Sequence, residues 1–155
     1  MIGGINRRLT TPHKEQITVR ELNEALESFA ERYLRGALLL TVSEGTSDSV
    51  EISLTHTAYM LRLVVESGRR DEPVSVNISL NEGVYAWRIS FGDSLPSETA
   101  LYKIEAAARE AGFAFKNGGS YVTVGTSTKK ILAASIYAVS STEVEAALKE
   151  AFLYS

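Results

Sequence analysis

The sequence has no cysteine and only two histidines. It therefore cannot form a disulfide, a thiolate nucleophile or a cysteine-ligated zinc site, and it has few ligands for an imidazole metal cluster. It also lacks an uninterrupted apolar run of about 18 residues, the length that a membrane-spanning helix needs, and it shows no signal-peptide apolar segment. These absences predict a cytoplasmic protein without membrane insertion.

An excess of positive charge is also missing. The formal net charge is −3 and the isoelectric point is about 5.5, whereas proteins that bind a phosphate backbone usually present a basic surface. We therefore expect no nucleic-acid partner. What the 155 residues do contain is 45% hydrophobic side chains, enough to bury a sizeable core in one domain.

Catalytic patterns are equally sparse. No serine lies in a Gly-x-Ser-x-Gly elbow, and His56 has no carboxylate partner at helical spacing. A histidine without an orienting partner is not a catalytic unit, so we interpret His56 as a surface or capping residue. The sequence names no catalytic residue, which favours a protein that is not an enzyme but leaves the question open.

The chain is organised around residues 54–91. Apolar side chains over residues 54–67 recur at helical spacing and cover most of the circumference, which predicts a buried helix. The period then changes to two over residues 74–80 and 85–91, as in strands with one apolar face. Asn81-Glu82-Gly83 between them is typical of a tight turn. We predict an antiparallel hairpin covered by a helix.

Capping patterns mark the other helices. Thr18 with Glu21, and Ser140 with Glu143, have the spacing of capping boxes before amphipathic segments. Ser97 is predicted to cap a further helix. Each of these residues precedes a stripe of apolar side chains, so the helices are expected to pack on a shared core.

The complete pattern predicts an α+β protein. We expect a two-layer sandwich with helices on one face of a mixed, mostly antiparallel sheet, and short apolar runs, including residues 131–139, are predicted to add strands. Residues 1–17 have no periodicity and are predicted to form a flexible N-terminal arm. Residues 18–155 are predicted to form a single α+β domain.

Two features suggest how the protein meets partners. The aromatic stripe of Tyr85, Trp87 and Phe91 indicates core, although Trp87 is also suited to anchor an interface if its sheet face is uncovered. The first helix either closes its own sheet or pairs with a second copy of the chain. The partners that we expect are accordingly another protein or a homodimer.

The order of elements resembles the ATP-binding domain of sensor histidine kinases and other members of the GHKL superfamily. The resemblance covers residues 37–139, which run strand, polar loop, apolar helix, two strands, loop, helix and closing strands. Residues Ser49-Val50-Glu51-Ile52, leading into the central helix, are similar to the segment that enters the family's N-box helix. The resemblance implies the histidine-kinase ATPase-like fold and, in the family, a site for Mg-ATP.

The residues of that site are largely replaced. In the family the helix carries two asparagines that coordinate magnesium, and Arg62 and Glu66 stand at these positions. The family's Asp-x-Gly-x-Gly motif, whose aspartate reads the adenine amino group, has Phe91 at the aspartate position, followed by Gly92 and Asp93. The resemblance thus implies Arg62, Glu66, Gly92 and Asp93 as nucleotide-site equivalents, with Glu66 as the metal ligand.

These replacements predict a non-catalytic regulatory or protein-interaction domain in bacterial signalling, with a degenerate ATP site and no cofactor. Two alternatives stay open. The first is a divergent ATP-binding sensor kinase or anti-sigma-type kinase domain, which would use Mg-ATP. The second is an unrelated small-ligand-binding or chaperone-like α+β protein.

Overall fold

The computed structural model describes residues 13–43, 45–68, 71–130 and 140–154, and after the first strand each helix but the last is followed by two strands. In this part of the chain, no helix is long and apolar enough to cross a bilayer. The helices are α1 (Val19–Tyr33), α2 (Leu54–Glu66), α3 (Glu98–Ala111) and α4 (Ser141–Tyr154). The strands are β1 (Glu15–Thr18), β2 (Leu38–Val42), β3 (Ser49–Ile52), β4 (Val74–Asn81), β5 (Val84–Ser90), β6 (Ala114–Asn117) and β7 (Val122–Ser127).

The main sheet has five strands in the order β2-β4-β5-β7-β6. β2 and β4 are parallel, and every other neighbouring pair is antiparallel. β1 and β3 form a second, two-stranded antiparallel sheet. The α+β class and the mixed, mostly antiparallel sheet predicted from the sequence are confirmed.

The hairpin of β4 and β5 is the centre of this sheet. Its turn places Glu82 at φ 50° and Gly83 at φ 77°, the left-handed pair that a two-residue turn between twisted antiparallel strands requires. Asn81 pairs with Val84 across the turn, and the ladder continues to Ser75 and Ser90. The predicted hairpin and its turn are therefore confirmed.

Alternation along the strands decides which sheet face the helices cover. Because successive side chains point to opposite faces, the apolar residues of β4, β5 and β7 all face one layer. Those residues are buried, whereas the opposite face carries polar or small residues such as Asn77, Arg88 and Thr123. The buried strand residues are Val74, Val76, Ile78, Tyr85, Trp87, Ile89, Val122 and Val124.

The residues predicted to cap helices lie at the starts of helices. The side chains of Thr18, Ser53 and Ser97 accept hydrogen bonds from backbone N–H groups of the first turns of α1, α2 and α3, which satisfies donors that lack a partner inside the helix. Ser140 accepts from the N–H of Glu143 at 3.2 Å at the start of α4. Both predicted capping boxes thus lie at helix starts.

The last helix, α4, lies against both α1 and α2. Its Val144 and Leu148 are 0% exposed. At its first turn the N–H of Ser141 donates to Oε2 of Glu21 at 2.7 Å, so a carboxylate from the start of α1 caps α4. A negative charge at this end of a helix interacts favourably with the helix dipole. One side chain thereby joins the beginnings of two helices.

The first strand corrects the predicted N-terminal arm. Residues 15–17 belong to β1, which pairs with β3, and Ile17 is 1% exposed. The arm prediction was wrong for these residues, because the sequence gives no sign that β3 supplies a pairing edge for so short a segment. Residues 1–12 and the strand predicted over residues 131–139 lie outside the described residues. The division into arm and single domain stays a prediction.

Candidate functional site

The C-terminal half of α2 carries the two residues predicted at the family's magnesium positions. Nε of Arg62 lies 3.5 Å from Oε2 of Glu66, one helical turn further on, and their side chains are 33% and 58% exposed. Nη1 of Arg62 also donates to the carbonyl of Phe152 in α4 at 3.1 Å. Arg62 is therefore engaged both within its own helix and with the last helix, and α4 covers this side of α2.

The second half of the predicted site follows β5. Phe91, at the position of the adenine-reading aspartate, is 4% exposed, and a phenyl ring has no group for a hydrogen bond with an adenine amino group. Gly92 has φ 96°, and a Cβ at this position would lie 2.6 Å from Oε2 of Glu72. Asp93 is exposed. The carboxylate of Glu72, which the sequence did not single out, thus occupies the space that a side chain at position 92 would need.

The structure brings together part of the predicted set. Arg62 and Glu66 form an ion pair, whereas a Cβ at position 92 would meet the carboxylate of Glu72. Among the described residues, no group of three or more histidine, aspartate or glutamate side chains is placed to hold a metal ion. Magnesium needs only one or two carboxylates with water, so Glu66 as a metal ligand stays a prediction.

His56 is buried rather than on the surface. It is 2% exposed, its N–H donates to Oγ of Ser53 at 3.2 Å, and its Nδ1 lies 2.9 Å from the same oxygen. The surface interpretation is therefore wrong, and the capping residue is Ser53, whose hydroxyl the His56 ring contacts. Its position at the N-terminus of α2 ties its ring to the helix cap.

A buried chain of hydrogen bonds runs between α1 and the sheet. Nε1 of Trp87 donates to the hydroxyl of Tyr85 at 2.9 Å, and that hydroxyl donates to Oδ1 of Asn23 at 3.2 Å. Nδ2 of Asn23 donates to the carbonyl of Ser43 at 3.3 Å. Asn23 is 3% exposed, and sequence reasoning missed it, although an asparagine on the apolar stripe of α1 was the available signal. Trp87 is core, not an exposed interface anchor.

Burial raises the pKa of the Tyr85 hydroxyl far above its usual value of about 10, and the hydrogen bond from Trp87 offsets a smaller part of this shift. Above about pH 10 the unfolded chain loses a proton that the folded chain keeps, so the free energy of unfolding should fall as pH rises, by up to about 1.4 kcal/mol per pH unit. Urea unfolding across this alkaline range should show a shallower fall for Tyr85→Phe. Tyr102→Phe, at a residue 73% exposed, is the control and should keep the parent slope; equal slopes for all three proteins would contradict the prediction.

Two surface grooves differ in their lining: the walls of the first are mainly apolar, whereas charged residues of α1 line part of the second. One, of about 490 Å³, lies on the open face of the sheet over β5, β6 and β7, with Ala86, Gly125 and Ala114 among its lining residues. The other, of about 330 Å³, runs between α1 and β2. Neither groove includes Arg62, Glu66, Gly92 or Asp93 in its walls.

Comparison of the sequence with protein-family models and with curated proteins finds no match in either case. Solved structures do match the fold. The catalytic domain of histidine kinase ThkA, in a nucleotide-free form, matches with a TM-score of 0.51 and 13% identity over 77% of this chain and 99% of that one. The Acinetobacter baumannii histidine kinase AdeS matches with a TM-score of 0.46 and 11% identity over 81% of this chain and 73% of that one.

The fold likeness agrees with the resemblance in the sequence. The match to the ThkA catalytic domain spans nearly the whole of that domain, and identity at this level concerns the fold and not the activity. The chain therefore has a histidine-kinase ATPase-like fold, as predicted. The likeness of fold does not show whether this chain keeps the family's site, because that depends on the residues at the site positions.

Proposed function

We propose that this chain, which has a histidine-kinase ATPase-like fold, is a non-catalytic regulatory or protein-interaction domain that acts in bacterial signalling. The observation that carries the proposal is which residues stand at two positions of the predicted nucleotide site, and what they bond or contact. Arg62 stands at a predicted magnesium position with its guanidinium bound to the carbonyl of Phe152, and Phe91 stands buried at the adenine position.

At both positions the residue present lacks the groups that binding of Mg-ATP would require. A guanidinium is a permanent cation that donates hydrogen bonds and cannot act as a ligand to magnesium, which takes oxygen ligands. Its bond to a main-chain carbonyl of α4 would also have to break for Arg62 to turn toward a phosphate. The buried phenyl ring of Phe91 offers no acceptor where adenine recognition needs one, so a nucleotide would bind without its specific contact.

The test is titration calorimetry of the purified chain with ATP and with ADP, each with and without Mg²⁺. We expect no binding heat up to millimolar nucleotide, from protein shown to be folded by circular dichroism. Micromolar binding that requires Mg²⁺ and weakens in Glu66→Ala would overturn the proposal. Glu72→Ala is the matched control, because it removes a carboxylate beside Gly92 without touching the α2 position.

The second candidate is a divergent ATP-binding sensor kinase or anti-sigma-type kinase domain. It is favoured by Glu66, whose side chain is 58% exposed at the end of α2 and which carries the oxygen ligands that magnesium prefers. The same titration decides between the two. The strand order favours both over an unrelated small-ligand-binding or chaperone-like protein, since that order accompanies a kinase-like fold.

A further inference from the structure

The sheet face that the helices do not cover carries a groove over β5, β7 and β6. Ala86, Gly125 and Ala114 stand side by side across these three strands, because Gly125 pairs with both alanines. Successive residues of a strand point to opposite faces, so all three residues lie on the face away from the core. Together with Val84 they give this groove, of about 490 Å³, a mainly apolar floor.

A row of polar residues borders the floor on one side. Thr123, two residues before Gly125 on β7, pairs with Arg88 of β5 and with Lys116 of β6. Thr123 and Lys116 line the groove, and the guanidinium carbon of Arg88 lies 3.8 Å from the centroid of the Tyr121 ring. Stacking on an aromatic ring holds a guanidinium in place and leaves the N–H groups at its edge able to donate. Two cations therefore flank Thr123.

These cations have no acidic neighbour on this face. Among the described residues, no aspartate or glutamate forms an ion pair with Arg88 or Lys116, and none lines the groove. The whole chain has a net charge of −3, so the cationic border is a local feature and not a consequence of the overall composition. An anion beside Thr123 would accept charge-assisted hydrogen bonds from both cations.

The size of the groove favours a small ligand over another protein. Its volume of about 490 Å³ lies within the range of about 300–1,000 Å³ that is usual for small-molecule sites. Ten residues line it, whereas an ordinary protein interface takes about 20–30 residues from each side. Because alanine and glycine project little above the strands, a planar ring can lie in contact with the whole floor.

We propose that this groove binds a small aromatic carboxylate. The ring lies on the alanine and glycine floor, and the carboxylate lies beside Thr123, between Arg88 and Lys116. The apolar contact and the two cations together select this class, because a neutral ring leaves the cations unpaired and an inorganic anion leaves the floor uncovered. The groove is on the opposite face of the sheet from the helices, so the inference goes beyond the proposed interaction function and can fail or succeed independently of it.

The test uses cinnamate as the probe and follows the amide NMR signals of the full chain. Cinnamate raised from micromolar to millimolar concentration should shift the amide signals of Ala86, Ala114 and Gly125 until they saturate. Cinnamamide, which has the same ring without the charge, should bind roughly fivefold more weakly or less, because it forms no ion pair with the two cations. Mg²⁺ and Glu66→Ala should leave cinnamate binding unchanged, which separates this site from the predicted nucleotide site.

Two kinds of variant separate the charges from the floor. Lys116→Gln and Arg88→Gln should each weaken cinnamate binding roughly fivefold, whereas Lys103→Gln, the same change at an exposed residue of α3, should not. Ala114→Leu adds bulk at an exposed residue of the edge strand and should weaken cinnamate and cinnamamide alike. The proposal fails if cinnamate leaves the groove signals unchanged, if cinnamamide binds as tightly, or if Lys116→Gln binds no more weakly than Lys103→Gln.

Discussion

Trp87→Ala should lower the free energy of unfolding by about 3–5 kcal/mol, the range for removal of a fully buried large aromatic side chain. Trp87 is 1% exposed, and its ring packs against Phe113 with centroids 5.8 Å apart. The substitution leaves a cavity at the centre of the sheet. It also removes the N–H donor to the Tyr85 hydroxyl, which is then buried with fewer hydrogen-bond partners.

Trp87→Phe separates these two contributions. It keeps an aromatic ring and removes the donor, so we expect a smaller loss of about 1–3 kcal/mol from the lost hydrogen bond to the Tyr85 hydroxyl and the reduced volume. Urea unfolding should be followed by far-ultraviolet circular dichroism, because Trp87 is the only tryptophan and its fluorescence disappears with it. A loss below about 1 kcal/mol for Trp87→Ala would show that this face of the sheet is not packed as described.

Leu148→Ala should lower the free energy of unfolding by about 2–5 kcal/mol. Leu148 is 0% exposed on α4, and α4 lies against both α1 and α2. The loss should be accompanied by faster amide hydrogen exchange in α4, because α4 packs against the neighbouring helices through only a short stripe of apolar side chains.

The same helix supplies a matched control. Leu153 is 56% exposed, and Leu153→Ala should change the free energy of unfolding by less than about 0.5 kcal/mol. Equal effects of the two substitutions would mean that α4 does not contribute its Leu148 face to the core. The same helix also holds Arg62 of α2, whose guanidinium donates to the Phe152 carbonyl.

The candidate site was only partly accessible to sequence reasoning. The resemblance placed Arg62 and Glu66 on one helix at a spacing of four, and such residues are neighbours on a helical surface, so their ion pair follows from local geometry. The position of the Glu72 carboxylate in the space beside Gly92 does not follow in this way. Glu72 lies before β4 and Gly92 after β5, and their approach depends on the register of the whole hairpin.

The buried chain of hydrogen bonds through Asn23 could likewise be predicted only in part from the sequence. An asparagine at position 23 breaks the apolar stripe of α1, which marks it as unusual. Its partners, the Tyr85 hydroxyl and the Ser43 carbonyl, belong to β5 and to the residue that follows β2, and are not encoded near it. A buried amide must find such partners, but the sequence does not say where they are.

By itself, the sequence determined the local elements: the capping residues Thr18 and Ser97, the Glu82-Gly83 turn and the alternation that selects the buried face of the hairpin. These depend on hydrogen bonds and periodicities within a few residues. The tertiary structure alone decided which surfaces meet. Glu21 caps α4 across 120 residues, and β1 pairs with β3, because such contacts depend on the packing of complete elements and not on the residues beside them in the chain.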